Sequence, residues 1–259
     1  MQIEQYEPGV PSWIDIGSPN PQGAAEFYGA LFGWEAPEGP PETGGYRVAM
    51  VRDHAVAGIG EQQNPGPPVW ATYVAVDNAD EAVAKVLSAG GQVLLPAMDV
   101  LDVGRMAVFM DPQGAVFSVW QAGTHPGAEL VNEPGTWSWS ELLTTDVEGA
   151  KGFYGDVFGW TTNTAGAGPT GEYTEWQVNG RSVAGMMQKP PMMPAEVPPF
   201  WAVYFAVEDT DTAVARVNEL GGTVLMPPMD IEPGRFSTVA DPFGAVFNVI
   251  ALKPELAGA

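Results

Sequence analysis

One phrase occurs twice in this 259-residue chain, as FYGALFGW at Phe27 to Trp34 and as FYGDVFGW at Phe153 to Trp160, 126 positions further on. The chain is therefore a tandem duplication, and whatever it folds into must accommodate two like units. In each copy a Trp stands fourteen residues before the Phe of the phrase: Trp13 opens WIDIGSPNPQGAAEFYG and Trp139 opens WSELLTTDVEGAKGFYG. The matches continue downstream. Trp70 to Val76 pairs with Trp201 to Val207, Gly90-Gly91 with Gly221-Gly222, and Asp111-Pro-Gln-Gly with Asp241-Pro-Phe-Gly. The copies diverge most at 35–45, 64–68 and 186–199, the loop class in which binding selectivity usually differs.

Periodicity predicts the elements. Trp13, Asp15 and Gly17 alternate with Ile14 and Ile16, a strand with one apolar face. Pro21 to Phe32 follows possible caps at Ser18 and Asn20, carries Ala24, Phe27, Tyr28 and Leu31 at helical spacing, and stops at Gly33. Tyr46–Val51 and Ala55–Gly60 make a hairpin about Arg52 and Asp53. Trp70–Val76, Ala79–Ala89, Gln92–Leu95, Arg105–Met110 and Ala115–Trp120 then read strand, helix, strand, strand, strand, with a turn at Asp111 to Gly114. Each copy is thus two βαβββ modules. Residues 1–121 form one domain, 122–136 a linker rich in Gly, Pro and polar residues, and 137–259 a second domain.

Charge narrows the partners. A formal net charge of −22, with only ten Lys plus Arg, repels phosphate backbones and anionic lipid, so nucleic acid and membranes are excluded as partners. No apolar run reaches a spanning length and the N-terminus lacks a basic patch followed by an apolar stretch, which reads as a soluble, cytoplasmic protein. Cysteine is absent, so neither disulfides nor thiolate chemistry can operate.

The order strand, helix, FYxxxFGW, then the W-x-x-Y-x-A-V strand and the D-P-x-G-x-x-F hairpin, resembles the vicinal oxygen chelate superfamily of glyoxalases, extradiol dioxygenases and bleomycin resistance proteins. The nearest pattern is that of tandem four-module, glyoxalase-like proteins of actinobacteria, some named hydroxylases. The resemblance implies an α+β fold in which four βαβββ modules form two glyoxalase-like domains with cup-shaped mixed sheets. Metal-using members of that family carry His, Glu or Gln on the first and last strands of a module. Projected onto this chain, those places fall on Trp13 and Trp139, on Ala71 and Ala202, and on Ser118 and Asn248, none of them a strong ligand for a transition metal. The two histidines, His54 and His125, lie in a hairpin turn and in the linker. The resemblance therefore arrives without its metal, and no other cofactor is expected.

Strand alternation turns Trp13, Asp15, Tyr73, Ser118 and Trp120 into one cup, and Trp139, Glu141, Tyr204 and Asn248 into the other. Aromatic rings with a few polar groups suit a flat, largely apolar small molecule. The competing reading is that Trp13 and Trp139 plug the cups as core. Asp15 and Glu141, at matched positions, are candidate general acids or bases if burial raises their pKa, and rim carboxylates otherwise. Arg105 and Arg235, also matched, are expected to pair with those carboxylates or to orient an anionic ligand, or else to be surface residues. Met186, Met187, Met192 and Met193 read as an apolar lid or as filler. Three functions stay open: metal-independent binding of an aromatic or apolar molecule, of the secondary-metabolite binding or resistance type; a lyase, isomerase or hydroxylase working through the cup carboxylates; and a non-catalytic scaffold. The assembly is a monomer or homodimer, and whether each copy closes its own cup or exchanges modules with the other is open.

Overall fold

A computed structural model describes residues 1–168 and 171–253. The first copy runs β1 (Pro11–Ser18), α1 (Pro21–Phe32), β2 (Arg47–Val51), β3 (His54–Glu61), β4 (Trp70–Ala75), α2 (Ala79–Ser88), β5 (Gln92–Val100), β6 (Gly104–Met110) and β7 (Val116–Ala122). The second runs β8 (Trp137–Thr144), α3 (Val147–Phe158), β9 (Thr161–Gly168), β10 (Gly171–Val178), β11 (Arg181–Gln188), β12 (Phe200–Ala206), α4 (Thr210–Glu219), β13 (Thr223–Ile231), β14 (Gly234–Ala240) and β15 (Val246–Leu252). Among the described residues no helix is long and apolar enough to cross a membrane.

Each copy builds its own mixed sheet, so modules are not exchanged. The first sheet is ordered β2-β3-β1-β4-β7-β6-β5 and the second β13-β14-β15-β12-β8-β11-β10-β9. In both, the two modules meet at a central antiparallel pair, β1 with β4 and β8 with β12, flanked by parallel pairs. The first module departs from the βαβββ expectation. Its missing strand survives only as the bridge between Glu35 and Met50, whereas the second copy has β9. The cause is local: residues 35–45 hold Pro37, Pro40 and Pro41, which cannot donate to a ladder, whereas β9 opens with Thr161, Thr162 and Thr164.

Local chemistry fixes the remaining elements. The Asn20 side chain caps α1 by accepting from the Gly23 amide, and Gly33 closes it in the left-handed region at φ 76°. Arg52 and Asp53 both take positive φ, the two-residue geometry whose twist matches the flanking strands.

The two sheets pack back to back. The faces opposite the cups carry Ile14, Val74, Phe117, Val119, Leu142, Phe205, Phe247 and Val249, all buried. The helices over these faces are shared. Phe27 and Tyr28 of α1 lie against Phe247 of the other copy, and Phe153 and Tyr154 of α3 lie against Phe117. Burying one such ring contributes roughly 1.5–3 kcal/mol, so this shared layer is a main source of stability.

Candidate functional site

Both cups contain the same hydrogen-bonded group. In the first, the Trp13 indole N–H donates to the Tyr46 hydroxyl over 3.1 Å, and Tyr46 donates in turn to Asp15 Oδ2 over 3.1 Å. Tyr73, facing Trp13 across the β1–β4 pair, donates to the same oxygen over 2.9 Å and is itself hydrogen-bonded to Ser118. In the second, Trp139 donates to the Tyr173 hydroxyl over 2.9 Å, Tyr204 donates to Glu141 Oε1 over 3.0 Å, and Tyr173 completes the pair on Glu141. Each carboxylate thus lies between two phenols, one of which is anchored by an indole.

Two glycines make room for this arrangement. Gly58 on β3 lies opposite Asp15 on β1, and a Cβ there would come within 1.7 Å of the Tyr46 hydroxyl oxygen. Gly185, opposite Glu141, holds the same place, with Tyr173 Oη 1.9 Å and Trp139 Nε1 2.7 Å from a would-be Cβ.

The electrostatics follow from enclosure. Burial pushes the Asp15 pKa up to about 6, against the two phenol hydrogen bonds that favour the ionised form. Burial likewise raises that of Glu141, opposed by Tyr173 and Tyr204. Tyr46, Tyr73, Tyr173 and Tyr204 are all driven well above the usual phenol range, first by burial and then by the adjacent carboxylate. The phenols remain protonated donors, and Asp15, at about 6, is a group that can exchange a proton near neutral pH, with Glu141 raised in the same direction.

Of the expected residues, Trp13, Asp15, Tyr73, Ser118 and Trp120 meet in the first cup, and Trp139, Glu141, Tyr204 and Asn248 in the second. Asn248 is committed internally: its amide donates to Val203 O over 3.3 Å and accepts from Thr238 over 2.7 Å. Arg105 and Arg235 do not reach the cup carboxylates. Arg105 shares its face of β6 with Ala107 and Phe109, the helix side, and binds Asp80 at 3.0 Å and Asp99 at 2.7 Å. Arg235 does the same with Asp211 and Asp230. The alternation that turns Trp120 inward pairs it with Met106 and leaves Arg105 outward. Nor do the four methionines form a lid: Met186 is fully buried against the helices, while Met192 is 89% exposed.

Tyr46, Tyr173, Gly58 and Gly185 escaped the sequence reading. A weak signal was present: Val56-Ala57-Gly58 recurs as Val183-Ala184-Gly185. The tyrosines stand nineteen and twenty residues after Phe27 and Phe153, and that one-residue slip in a divergent loop conceals the match.

A metal of the kind used by some relatives does not fit these residues. The projected ligand places hold indole, methyl, hydroxyl and carboxamide groups, and the nearby carboxylates already accept from two phenols each. Among the described residues no group of three or more His, Cys, Asp or Glu side chains is placed to hold a metal ion.

Comparison with known proteins agrees with the fold. Residues 138–249 match the model of the Glyoxalase/Bleomycin resistance protein/Dioxygenase superfamily, and residues 13–120 match a glyoxalase-like domain. The Mycobacterium tuberculosis protein CFP32, named for a glyoxylase, is 41% identical over 259 aligned residues that cover 97% of this chain and 98% of the relative. The anthracycline biosynthesis protein DnrV of Streptomyces peucetius is 39% identical, over 99% of both chains. The Mn(II)-bound glyoxalase of Novosphingobium aromaticivorans superposes with a TM-score of 0.66 at 18% identity, over 95% of this chain and 83% of its own, a likeness of fold. With both halves matched by the family's models and whole-length relatives near two-fifths identity, the chain belongs to the Glyoxalase/Bleomycin resistance protein/Dioxygenase superfamily.

Proposed function

We propose that this protein binds a planar, largely apolar aromatic molecule in a cup, without a metal. The observation that carries the reading is the repeated indole–phenol–carboxylate–phenol group, flanked by the small residues Ala71 and Gly58 or Ala202 and Gly185. Rings and methyl groups supply apolar contact, while the carboxylate and its phenols offer one polar anchor. The names of the relatives DauV and DnrV, both anthracycline biosynthesis proteins, support a polycyclic aromatic as the ligand class. The test is titration of an anthracycline aglycone followed by tryptophan fluorescence, before and after EDTA treatment. Saturable quenching unaffected by EDTA is expected. Absence of saturable quenching sinks the binding reading, and loss on EDTA with recovery on Mn(II) sinks its metal-independent part.

A second reading is favoured by one observation, the enclosure of both cup carboxylates, Asp15 and Glu141, beneath hydrogen-bonded phenol pairs, where burial raises the pKa of each. A carboxylate poised there can act as general base or acid towards a bound molecule, with Tyr73 or Tyr204 as hydrogen-bond donor. Comparing turnover of a bound aromatic by wild type, Asp15→Asn and Glu141→Gln decides it; equal rates would remove the mechanism.

A further inference from the structure

Although the two cups share their polar group, they are not equally accessible. The first is filled by the chain itself. Trp13 is 4% exposed and Tyr73 7%, whereas their counterparts Trp139 and Tyr204 are only half-buried; Tyr46 and Tyr173 are half-buried alike, and of the two carboxylates Glu141 is the more enclosed. The material over Trp13 is the linker. Its His125 ring stands edge-on to the Trp13 indole with centroids 4.5 Å apart, and 5.9 Å from the Trp120 ring.

The linker is held there by its backbone. His125 N donates to Val103 O over 3.1 Å, the Trp120 indole donates to His125 O over 2.9 Å, and Ala128 N donates to Ser12 O over 2.8 Å. Gly127 permits the last contact, since at φ 123° it lies so close that a Cβ would stand 2.3 Å from Ser12 O. Ile250 occupies the place of Trp120 in the second copy and has no side-chain N–H to anchor such a segment. The inward ring there moves to the neighbouring strand as Phe236, 6.1 Å from Tyr204, where the first copy has Met106. Among the described residues no aromatic ring packs against Trp139.

We infer that the second cup is the ligand-binding one, and that His125 occupies in the first cup the place an aromatic ligand takes against Trp139 in the second. The linker is thus an internal occupant, and it shows which chemistry the cup accepts: a small aromatic ring set edge-on to the indole beside the phenol-bound carboxylate. This inference rests on the binding reading above and adds to it the cup, the stoichiometry and the ring orientation.

Calorimetric titration of an anthracycline aglycone into the full chain tests it. One equivalent per chain is expected, with Trp139→Phe removing most of the fluorescence quenching and His125→Ala leaving the affinity within about twofold. Two equivalents for wild type, undiminished quenching in Trp139→Phe, or a tenfold loss of affinity in His125→Ala would each overturn the assignment. The absence of any saturable binding by wild type would instead overturn the underlying binding reading, so the two failures are told apart.

Discussion

The Tyr154 hydroxyl, on the helix of the second copy, donates to Asp111 Oδ2, in the turn of the first copy, over 3.1 Å; Tyr28 and Asp241 repeat the bond in the opposite direction at 3.1 Å. The two most legible phrases of the sequence, FYG and D-P-x-G, are therefore partners across the copies. The other oxygen of Asp111 accepts the amides of Gln113 and Ala115, and Trp201 donates to the Tyr154 hydroxyl from its far side. Removing that hydroxyl leaves one buried acceptor and one buried donor without partners. Tyr154→Phe should cost about 1–3 kcal/mol of unfolding free energy, and Tyr28→Phe a similar amount, read by urea denaturation. A change below about 0.3 kcal/mol in both would mean the bonds are not made.

Asp15 makes stability depend on pH in a defined direction. Its folded value of about 6 lies above the 3.8 of a free Asp, so the folded state holds this proton more tightly than the unfolded chain does. Its stabilising contribution is complete below about pH 4 and is lost as pH rises through about 6. Asp15→Asn lacks this titration. Relative to wild type, the variant should therefore gain up to about 3 kcal/mol between pH 4 and pH 7, as followed by chemical denaturation across that range. A difference independent of pH would contradict the raised value.

Gly185→Ala tests whether the glycine defines the second cup. The added methyl meets Tyr173 Oη and Trp139 Nε1 at distances no side chain tolerates, so Tyr173 must leave Glu141. Overpacking of this kind costs about 1–3 kcal/mol, and aglycone affinity should fall at least fivefold. Gly180→Ala, at a hairpin turn with nothing within 4 Å of its would-be Cβ, is the control for affinity: its positive φ makes it somewhat destabilising, but the cup stays intact. Equal affinity in the two variants would refute the role given to Gly185.

What the sequence made legible was local or repeated. The α1 bounds follow from Asn20, Pro21 and Gly33, and the hairpin at Arg52-Asp53 from alternation on either side. The cup faces of β1, β4 and β7 follow from period two. Hidden features depended on what one strand finds beside it. Tyr46 reaches Asp15 only because β3 lies parallel to β1 and presents a glycine there. Arg105 looked like a carboxylate's partner because it was scarce and matched, yet its parity on β6 assigns it to Asp80 and Asp99. The linker's composition marked only a connecting segment, and its seat over Trp13 depends on contacts with Ser12 and Trp120 that composition does not show.

The placement of α1 and α3 on each other's sheets makes the two halves depend on one another. A half-length chain standing alone would expose Phe27, Tyr28 and Phe117 to water, and could cover them only by associating with a second copy. The covalent link makes that encounter an intramolecular event, independent of protein concentration.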